Sequence, residues 1–344
     1  MTTRAADVVV LGLGPAGASA AAAAAARGCR VIAVDRKREP GRPVQCAEFV
    51  PMLVGLDATA VAGAVRQPIG AMATFVEHDA PDLQPNFPGH MLDRAAFDAA
   101  LVERAAAAGA SIRFGARVRR LNPDGAVELA DGSMLRAAVV IGADGPRSLA
   151  GAAIGRINAE LVETRQVTVP LERPAQATDI FLSAAIPGGY GWLFPKGRQA
   201  NLGAGVDPAH KARLKSIVAA LHARLAAEGR VGAGATALTG GAIPVGGMLR
   251  PWGRLQRTLV LLCGDASGLA NPVTGAGIAA AVHSGKLAGG AAADRDPAAY
   301  EEELDDVYRA ALERAVRRRG ELANSNRDPA ALRRSWIAYP EYWQ

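Results

Sequence analysis

The hydrophobic pattern opens with an unbroken apolar run at Val8–Leu11, which is typical of a parallel strand buried on both faces. An alanine-rich stretch at 18–26 follows and predicts a helix, because alanine is the strongest helix former. Gly28 ends this helix, and Val31–Val34 predicts a second buried strand that ends at Asp35. The chain therefore begins with a predicted strand–helix–strand unit.

The pattern continues with shorter elements between residues 50 and 130. Helix and strand periodicities, with glycine and proline as breaks, identify each of them. They are a helix near 57–65, a strand at Ala71–Val76, a helix that begins near Asp93 and ends before Gly109, a strand at 111–119, a turn at 122–125 and a return strand at Val127–Leu129. The last three elements predict a β-hairpin.

Two further apolar strands, at 137–141 and 259–263, each run into a turn rich in glycine and aspartate. A helix of small residues is predicted at about 275–288, after the second of these turns. Its N-terminus faces a strand end, and such an arrangement binds anions. A charged helix is predicted at about 297–322, followed by an aromatic tail.

The first turn carries the spacing GxGxxG at Gly12, Gly14 and Gly17. The first glycine allows a tight turn, the second lets a pyrophosphate approach the backbone, and the third allows close packing of helix and strand. Asp35 stands where an acidic side chain accepts a hydrogen bond from a ribose hydroxyl. The strand, glycines, helix, strand and acid in this order predict a dinucleotide-binding fold.

Composition narrows the possible partners. The 344-residue chain is long enough for two domains, and its net charge of +6 is modest and clustered at 36–38, 317–319 and 333–334. No nucleic-acid-binding motif is present, so we expect no nucleic-acid partner. An anionic cofactor or an anionic head group of a substrate accounts equally well for the positive charge.

The three cysteines are not closely spaced, which predicts neither a disulfide framework nor a metal site and favours a reducing compartment. The first seven residues do not resemble a signal peptide, and no segment resembles a membrane span, so the expected location is cytoplasmic. The aromatic residues among the last nine, Trp336, Tyr339, Tyr342 and Trp343, are interpreted as a plug on the protein body. A docking surface for a partner or a membrane is the alternative.

Three aromatic residues, Tyr190, Trp192 and Phe194, alternate along the segment PGGYGWLFP. Side chains two residues apart on a strand share a face, so the three are expected to form one aromatic wall with polar tips. A half-buried core strand would give the same pattern. Beside a cofactor, such a wall suits an apolar substrate chain.

With GxGxxG, the segments VVIGADGPRS and GDASGLANPVTGAGI resemble the FAD-dependent oxidoreductases of the para-hydroxybenzoate hydroxylase type. The motif PxxYxWxFP resembles the signature of the geranylgeranyl reductase family within that group. The resemblance implies an α/β fold: a Rossmann-like FAD-binding domain with a mainly parallel sheet, an inserted α+β substrate domain with an antiparallel sheet, and a C-terminal helical tail. The expected FAD-binding domain comprises 1–71, 92–150 and 254–296, the substrate or cap domain 72–91 and 151–253, and the tail 297–344.

The resemblance also implies the site residues. Those expected to bind FAD are Gly12, Gly14, Pro15, Ala16, Gly17, Asp35, Arg36, Cys46, Ala47, Arg94, Val118, Asp144, Gly145, Gly264, Asp265, Gly275, Gly277 and Ile278. The expected substrate wall is Tyr190, Trp192 and Phe194, and the expected catalytic residues are Cys46, Tyr190 and Trp192. Ala47 departs from the family, in which a glycine usually follows the cysteine, and lipid-reducing relatives are usually longer than this chain.

The implied activity is reduction of carbon–carbon double bonds in a prenyl substrate, with hydride from reduced FAD and a proton from Cys46, Tyr190 or an ordered water. The electrons would come from NAD(P)H or a ferredoxin-like donor. No second GxGxxG is present for NAD(P)H, so that donor would bind transiently.

Two other activities stay open. The chain could deliver electrons to a partner enzyme, such as a radical, sulfur-inserting or lipoate-assembly system. It could also be an FAD-dependent aromatic monooxygenase; the WxWxIP motif of halogenases on this scaffold is absent.

Overall fold

A computed structural model describes residues 3–51 and 63–344 of the chain. It is a mixed α/β structure with parallel-rich sheets and a C-terminal helical region, as predicted. The strands are β1 Thr3–Ala5, β2 Val8–Leu11, β3 Val31–Val34, β4 Phe49–Pro51, β5 Val65–Ile69, β6 Ala71–Val76, β7 Asp82–Gln84, β8 Gly89–Leu92, β9 Ser111–Arg113, β10 Val118–Leu121, β11 Val127–Leu129, β12 Met134–Arg136, β13 Val139–Gly142, β14 Leu161–Pro170, β15 Ala177–Leu182, β16 Gly191–Lys196, β17 Gln199–Val206, β18 Leu238–Thr239, β19 Ala242–Pro244, β20 Trp252–Leu255 and β21 Thr258–Leu262.

The α-helices are α1 Pro15–Ala26, α2 Arg94–Ala107, α3 Leu149–Ala153, α4 Leu214–Ala227, α5 Ile278–Asp294, α6 Pro297–Leu304, α7 Ala310–Ala323, α8 Pro329–Arg334 and α9 Pro340–Trp343. Short 3-10 helices lie at Pro208–Arg213 and Gly264–Ser267, and a π-helical turn at Asp305–Arg309 joins α6 to α7. None of these helices combines the length and the apolar character needed to cross a membrane.

A six-stranded sheet in the order β20-β21-β13-β2-β3-β9 contains both strands of the predicted strand–helix–strand unit. All neighbours are parallel except β20 and β21. Helices α1 and α5 lie against each other on one face of this sheet. Glycine permits their close approach. A Cβ at Gly285 would lie 2.2 Å from the Ala16 carbonyl oxygen, and one at Gly289 would lie 2.4 Å from the Ala20 carbonyl oxygen. This contact explains why small residues dominate both helices.

An eight-stranded sheet, the cap sheet, forms the other half of the molecule. Its order is β18-β14-β17-β16-β15-β6-β7, with β19 beside β14. Most of its neighbours are antiparallel, whereas β6 and β15 pair in parallel. Smaller sheets, β1-β12-β11-β10 and β4-β8-β5, complete the described part of the chain.

The structure corrects several predicted boundaries. The single strand predicted at 111–119 is two strands, β9 and β10, in different sheets, because Gly115 turns the chain with a φ of +70°. The helix predicted at 275–288 begins at Ile278 and ends at Asp294. The alanine-rich helix begins earlier than predicted, at Pro15. Most of the helix predicted near 57–65 lies outside the described residues.

The remaining predicted elements agree with the structure. Asp93 caps α2 by accepting a hydrogen bond from the Ala96 backbone N–H at 3.0 Å. The hairpin of β10 and β11 forms at the predicted turn. In the tail, Trp336 and Tyr342 are buried, which confirms the predicted plug for these two residues, while Trp343 is exposed.

Candidate functional site

A cavity of about 350 Å³ lies between the carboxyl ends of the parallel strands and one face of the cap sheet. Open α/β sheets bind ligands at the carboxyl ends of their strands. The predicted site residues that line the cavity are Gly14, Pro15, Ala16, Cys46, Ala47, Arg94, Gly145, Tyr190, Trp192, Phe194, Asp265, Gly275, Gly277 and Ile278. Residues from all three predicted glycine-and-aspartate turns therefore meet the aromatic wall in one place.

The glycine turn after β2 has the geometry that its sequence requires. Gly12 has a φ of +95°, and a Cβ there would lie 2.4 Å from the Ala143 carbonyl oxygen. A Cβ at Gly17 would lie 1.8 Å from the Gly12 carbonyl oxygen. Gly14 differs, because no atom lies within 4 Å of its would-be Cβ. Gly12 and Gly17 thus serve packing, whereas Gly14 leaves open space at the N-terminus of α1.

Asp35 holds this turn in place. Its carboxylate accepts hydrogen bonds from the backbone N–H groups of Leu13 and Lys37, each at 2.7 Å. The helix that the turn leads into has no side-chain cap at Gly14, so its first N–H groups stay available to an anion. Arg36 is exposed, and Val118 packs on the core beneath the six-stranded sheet, so neither lines the cavity.

Asp265 follows β21 and projects into the cavity wall. Its carboxylate accepts no hydrogen bond from the described residues, and burial raises its pKa to about 6, although the positive charge of Arg94 opposes the rise. Its Oδ1 atom lies 3.3 Å from the would-be Cβ of Gly277, the N-cap residue of α5, which offers no side chain to cap the helix. A hydrogen-bond acceptor and a free helix N-terminus therefore occur side by side.

Asp144 has a different role from Asp265. Its carboxylate accepts hydrogen bonds from the Ser148 hydroxyl at 2.5 Å and from the Leu149 backbone N–H at 2.7 Å. Burial raises the pKa of Asp144, and these bonds oppose the rise. Asp144 thus stabilises the start of α3 and does not line the cavity, whereas its neighbour Gly145 does. Gly264 does not line the cavity either.

Arg94 supplies a buried positive charge to the cavity wall. Its side chain is 15% exposed and pairs with Asp98, with Nε to Oδ1 and Nη2 to Oδ2 distances of 3.1 and 3.3 Å. Burial lowers the pKa of Arg94, but Asp98 and Cys46 outweigh this effect, so the pKa is raised. Arg94 is therefore a fixed cation beside Cys46.

The Cys46 segment is attached to the cap sheet by side chains that the sequence did not reveal. Gln166 donates a hydrogen bond to the Cys46 carbonyl oxygen at 3.1 Å and accepts one from Trp192 Nε1 at 2.9 Å. Asn201 donates to the Ala47 carbonyl oxygen at 3.1 Å. The wall residue Trp192 and the cysteine are thus connected through a single amide.

Glu48 completes this attachment. It is buried with a φ of +66°, and it accepts hydrogen bonds from the Arg94 backbone N–H at 3.1 Å and the Asn201 amide at 3.0 Å. Its second oxygen also pairs with Lys196 on β16. A buried carboxylate with such partners is compensated, so the segment that carries Cys46 is firmly held.

The aromatic wall forms as its alternation predicts, although Tyr190 precedes the strand that carries Trp192 and Phe194. The ring centroids of Tyr190 and Trp192 lie 5.8 Å apart, and those of Trp192 and Phe194 lie 6.2 Å apart. The Tyr190 hydroxyl donates a hydrogen bond to the Thr274 carbonyl oxygen at 2.6 Å, and burial raises its pKa. Trp336 of the tail closes this end of the cavity.

These residues fit FAD on three independent grounds. The would-be Cβ of Gly14 meets open space at a free helix N-terminus, which suits a pyrophosphate. The Asp265 carboxylate, which has no hydrogen-bond partner among the described residues, suits a ribityl hydroxyl at a second free helix N-terminus. The apolar wall beyond them has the aromatic character of a cofactor and substrate pocket.

Comparisons with known proteins point to the same cofactor. The FAD binding domain model matches residues 5–181, and the geranylgeranyl reductase catalytic domain model matches residues 162–240. Digeranylgeranylglycerophospholipid reductase 1 of Methanopyrus kandleri is 34% identical over 89% of this chain and 89% of its own length. The corresponding reductase of Methanosarcina acetivorans is 30% identical over 88% of this chain and 79% of its own.

Solved structures support the fold. A geranylgeranyl bacteriochlorophyll reductase-like protein from Thermoplasma acidophilum has a TM-score of 0.82 at 23% identity, covering 97% of this chain and 91% of its own. PqsL from Pseudomonas aeruginosa, a probable FAD-dependent monooxygenase, has a TM-score of 0.71 at 19% identity, covering 96% and 98%. The family expected from the motifs is confirmed. The chain belongs to the geranylgeranyl reductase family of FAD-dependent oxidoreductases.

Proposed function

We propose that this FAD-dependent oxidoreductase reduces carbon–carbon double bonds of a prenyl chain. The relatives named above are reductases of digeranylgeranylglycerophospholipids, which supports a lipid of this type as substrate. One observation carries the proposal: the aromatic wall of Tyr190, Trp192 and Phe194 lines the same cavity as Asp265 and the N-terminus of α5. An apolar chain on that wall would lie beside the cofactor site.

The protein's contribution is binding, orientation and exclusion of water. When bound, FAD in its reduced form supplies the hydride for the reaction. Gly14, Gly145, Asp265 and Gly277 would hold it, and Arg94 would offset the negative charge of the site. The wall residues Trp192 and Phe194 are buried, so an alkene beside them is shielded from water.

The proton for the neighbouring carbon is assigned to Cys46 in this proposal. Tyr190 is less suited, because its hydroxyl proton is already donated to the Thr274 carbonyl oxygen and burial disfavours its anion. The Cys46 sulfur accepts a hydrogen bond from the Glu48 backbone N–H at 3.2 Å, which leaves its own S–H proton free to be donated. The adjacent Arg94 places a positive charge beside the sulfur, and solvent would return the proton once the product has left.

The electron donor is proposed to be NAD(P)H bound transiently or a ferredoxin-like protein. The absence of a second GxGxxG supports a donor without a dedicated Rossmann site. We also propose a cytoplasmic location, which the three free cysteines support.

The test is anaerobic single turnover. The FAD-loaded protein is reduced with dithionite and mixed with geranylgeranyl substrates, while flavin absorbance and the mass of the product are recorded. We expect reoxidation of the flavin together with a gain of two hydrogens per double bond. A protein that is reoxidised only by a partner protein, or only by oxygen with hydroxylation of an aromatic compound, would contradict this proposal.

A further inference from the structure

A second groove, of about 460 Å³, lies where β18 meets β14 at one edge of the cap sheet. It shares four wall residues with the central cavity: Gln45, Thr164, Thr239 and Gly240. The groove and the cavity are therefore adjacent and share part of their walls. We refer to the second compartment as the edge groove.

The edge groove is cationic. Arg165, Lys211 and Lys215 line it, and no carboxylate does. Lys211 pairs with Glu163 at 3.0 Å, but Glu163 also pairs with Arg147, so this group keeps a net positive charge. Arg165 and Lys215 make no ion pair with the described residues. Two of the three cations are thus available to an anionic ligand.

The direction of the central cavity relates this charge to the substrate. The cavity crosses the cap sheet from Thr164 on β14, past Trp192 on β16 and Ile180 on β15, to Met72 on β6. The first and last of these strands, β14 and β6, are four strand spacings apart in the sheet, which is about 19 Å at the usual strand separation. Trp336 closes the far end. A chain that fills this space would therefore have its other end at the edge groove.

We propose that the edge groove binds the phosphate or diphosphate head group of the prenyl substrate while the chain extends along the aromatic wall. This inference rests on the proposed function, because it assigns a place to one end of that substrate. Arg165 and Lys215 recognise the anion. The exposed Leu238, at 58% accessibility, offers an apolar contact to the first part of the chain.

The same cations could instead receive a phosphate of the nicotinamide donor. Both ligands share phosphate chemistry, but they enter different half-reactions. A phosphate on the donor affects reduction of the flavin, whereas a phosphate on the substrate affects its reoxidation. Separate measurement of the two half-reactions therefore distinguishes them.

The test compares the FAD-loaded wild type with the double variant Arg165→Gln/Lys215→Gln. The matched control is Arg254→Gln/Arg257→Gln, which removes the same charge from exposed positions that do not line the cavity or the groove. Each dithionite-reduced protein is titrated with geranylgeranyl diphosphate and with geranylgeraniol. We expect the apparent dissociation constant for the diphosphate to rise about five- to tenfold in the groove variant only, at an unchanged maximal rate.

The alcohol should bind the groove variant and the control within about twofold of the wild type. An equal effect on alcohol and diphosphate, or none on either, would overturn the proposal. Weaker binding of NADPH alone, in the reductive half-reaction, would assign the groove to the donor and also overturn it. If no prenyl compound reoxidises the wild type, the proposed function fails. In that case, the saturated analogue of geranylgeranyl diphosphate is titrated into the wild type and the groove variant, with binding measured by tryptophan fluorescence. This titration tests the edge groove separately from the reaction.

Discussion

Trp336 packs edge-on against Tyr190, with ring centroids 4.9 Å apart and an interplanar angle of 60°. The contact joins the C-terminal tail to the aromatic wall, although the two residues are far apart in sequence. The tail is held there by the Tyr339 hydroxyl, which donates to Asp82 at 2.6 Å, and by the Arg333–Asp79 ion pair at 2.8 Å. The tail thus forms one wall of the site.

Trp336→Ala should open the far end of the cavity, because the side chain is only 3% exposed and lines it. We expect the free energy of unfolding to fall by about 3 kcal/mol, as for other buried aromatic truncations. We also expect prenyl chains longer than geranylgeranyl to bind better relative to geranylgeranyl, measured by titration of the reduced protein. Trp336→Phe is the control for the loss of stability. An unchanged order of chain-length preference would contradict the prediction that Trp336 limits the length of the prenyl chain.

Gly14→Ala and Gly17→Ala should separate FAD binding from folding. A Cβ at Gly14 meets no atom within 4 Å, so the protein without FAD should keep its stability within about 0.5 kcal/mol. Its FAD affinity should fall at least about tenfold, because the pyrophosphate needs that space. Gly17→Ala should instead destabilise the fold by about 2 kcal/mol or more, since its Cβ would lie 1.8 Å from a carbonyl oxygen. Denaturant unfolding and flavin fluorescence titration measure the two effects, and equal affinity for Gly14→Ala would contradict the prediction.

Asp265→Asn should have opposite effects on folding and on FAD binding. Burial raises the folded-state pKa of Asp265 from 3.8 to about 6, so its protonated form is favoured by folding. Wild-type stability without FAD should therefore fall as pH rises from about 4 to about 6 and stay lower above that. The variant lacks this loss and should be more stable by about 1–3 kcal/mol at pH 7.5, with the difference vanishing near pH 4.

FAD affinity should weaken in Asp265→Asn, because a neutral amide oxygen accepts a hydrogen bond from a hydroxyl less strongly than a carboxylate does. Unfolding curves across pH and flavin titration measure the two effects. A stability difference that does not depend on pH would show that Asp265 is ionised throughout in the folded protein.

Cys46→Ala and Tyr190→Phe should distinguish the two candidate proton donors. We expect Cys46→Ala to slow reoxidation of the reduced flavin by prenyl substrate about 100-fold, which is within the usual range for loss of a general acid. Tyr190→Phe should keep most of the rate, because it loses only the hydrogen bond to the Thr274 carbonyl oxygen. Stopped-flow absorbance measures both rates, and FAD content serves as the control. The reverse order of effects would assign the proton to Tyr190.

Much of this architecture follows from local sequence signals. The glycine turn at Gly12–Gly17, the buried strands and the alternation of Trp192 and Phe194 each depend on neighbouring residues, and the structure contains all of them. The start of α5 was misplaced because Gly275 takes a φ of +70°, which delays the helix to Ile278. A glycine there signals a turn as readily as a helix start.

The polar connections around Cys46 could not be predicted in this way. Gln166 and Asn201 lie on different strands, more than 100 residues from the cysteine, and only the pairing of β14 and β17 brings them to the same loop. Their alternation with neighbouring residues indicates a strand face but not the partner of that face. Asp144 and Asp265 illustrate the same limit, because similar turns place one on a helix start and the other in the cavity.

The Glu48–Lys196 ion pair has a consequence for the position of Cys46 relative to the substrate. It connects the loop that carries Cys46 to the cap sheet, on which the prenyl chain is proposed to lie. The side-chain amides of Gln166 and Asn201 add two further hydrogen bonds between the same loop and the sheet. Side chains from β14, β16 and β17 therefore hold the Cys46 loop against the cap sheet. Because these contacts set the separation between the thiol and the aromatic wall, an alkene on that wall would meet the proposed proton donor at a fixed distance.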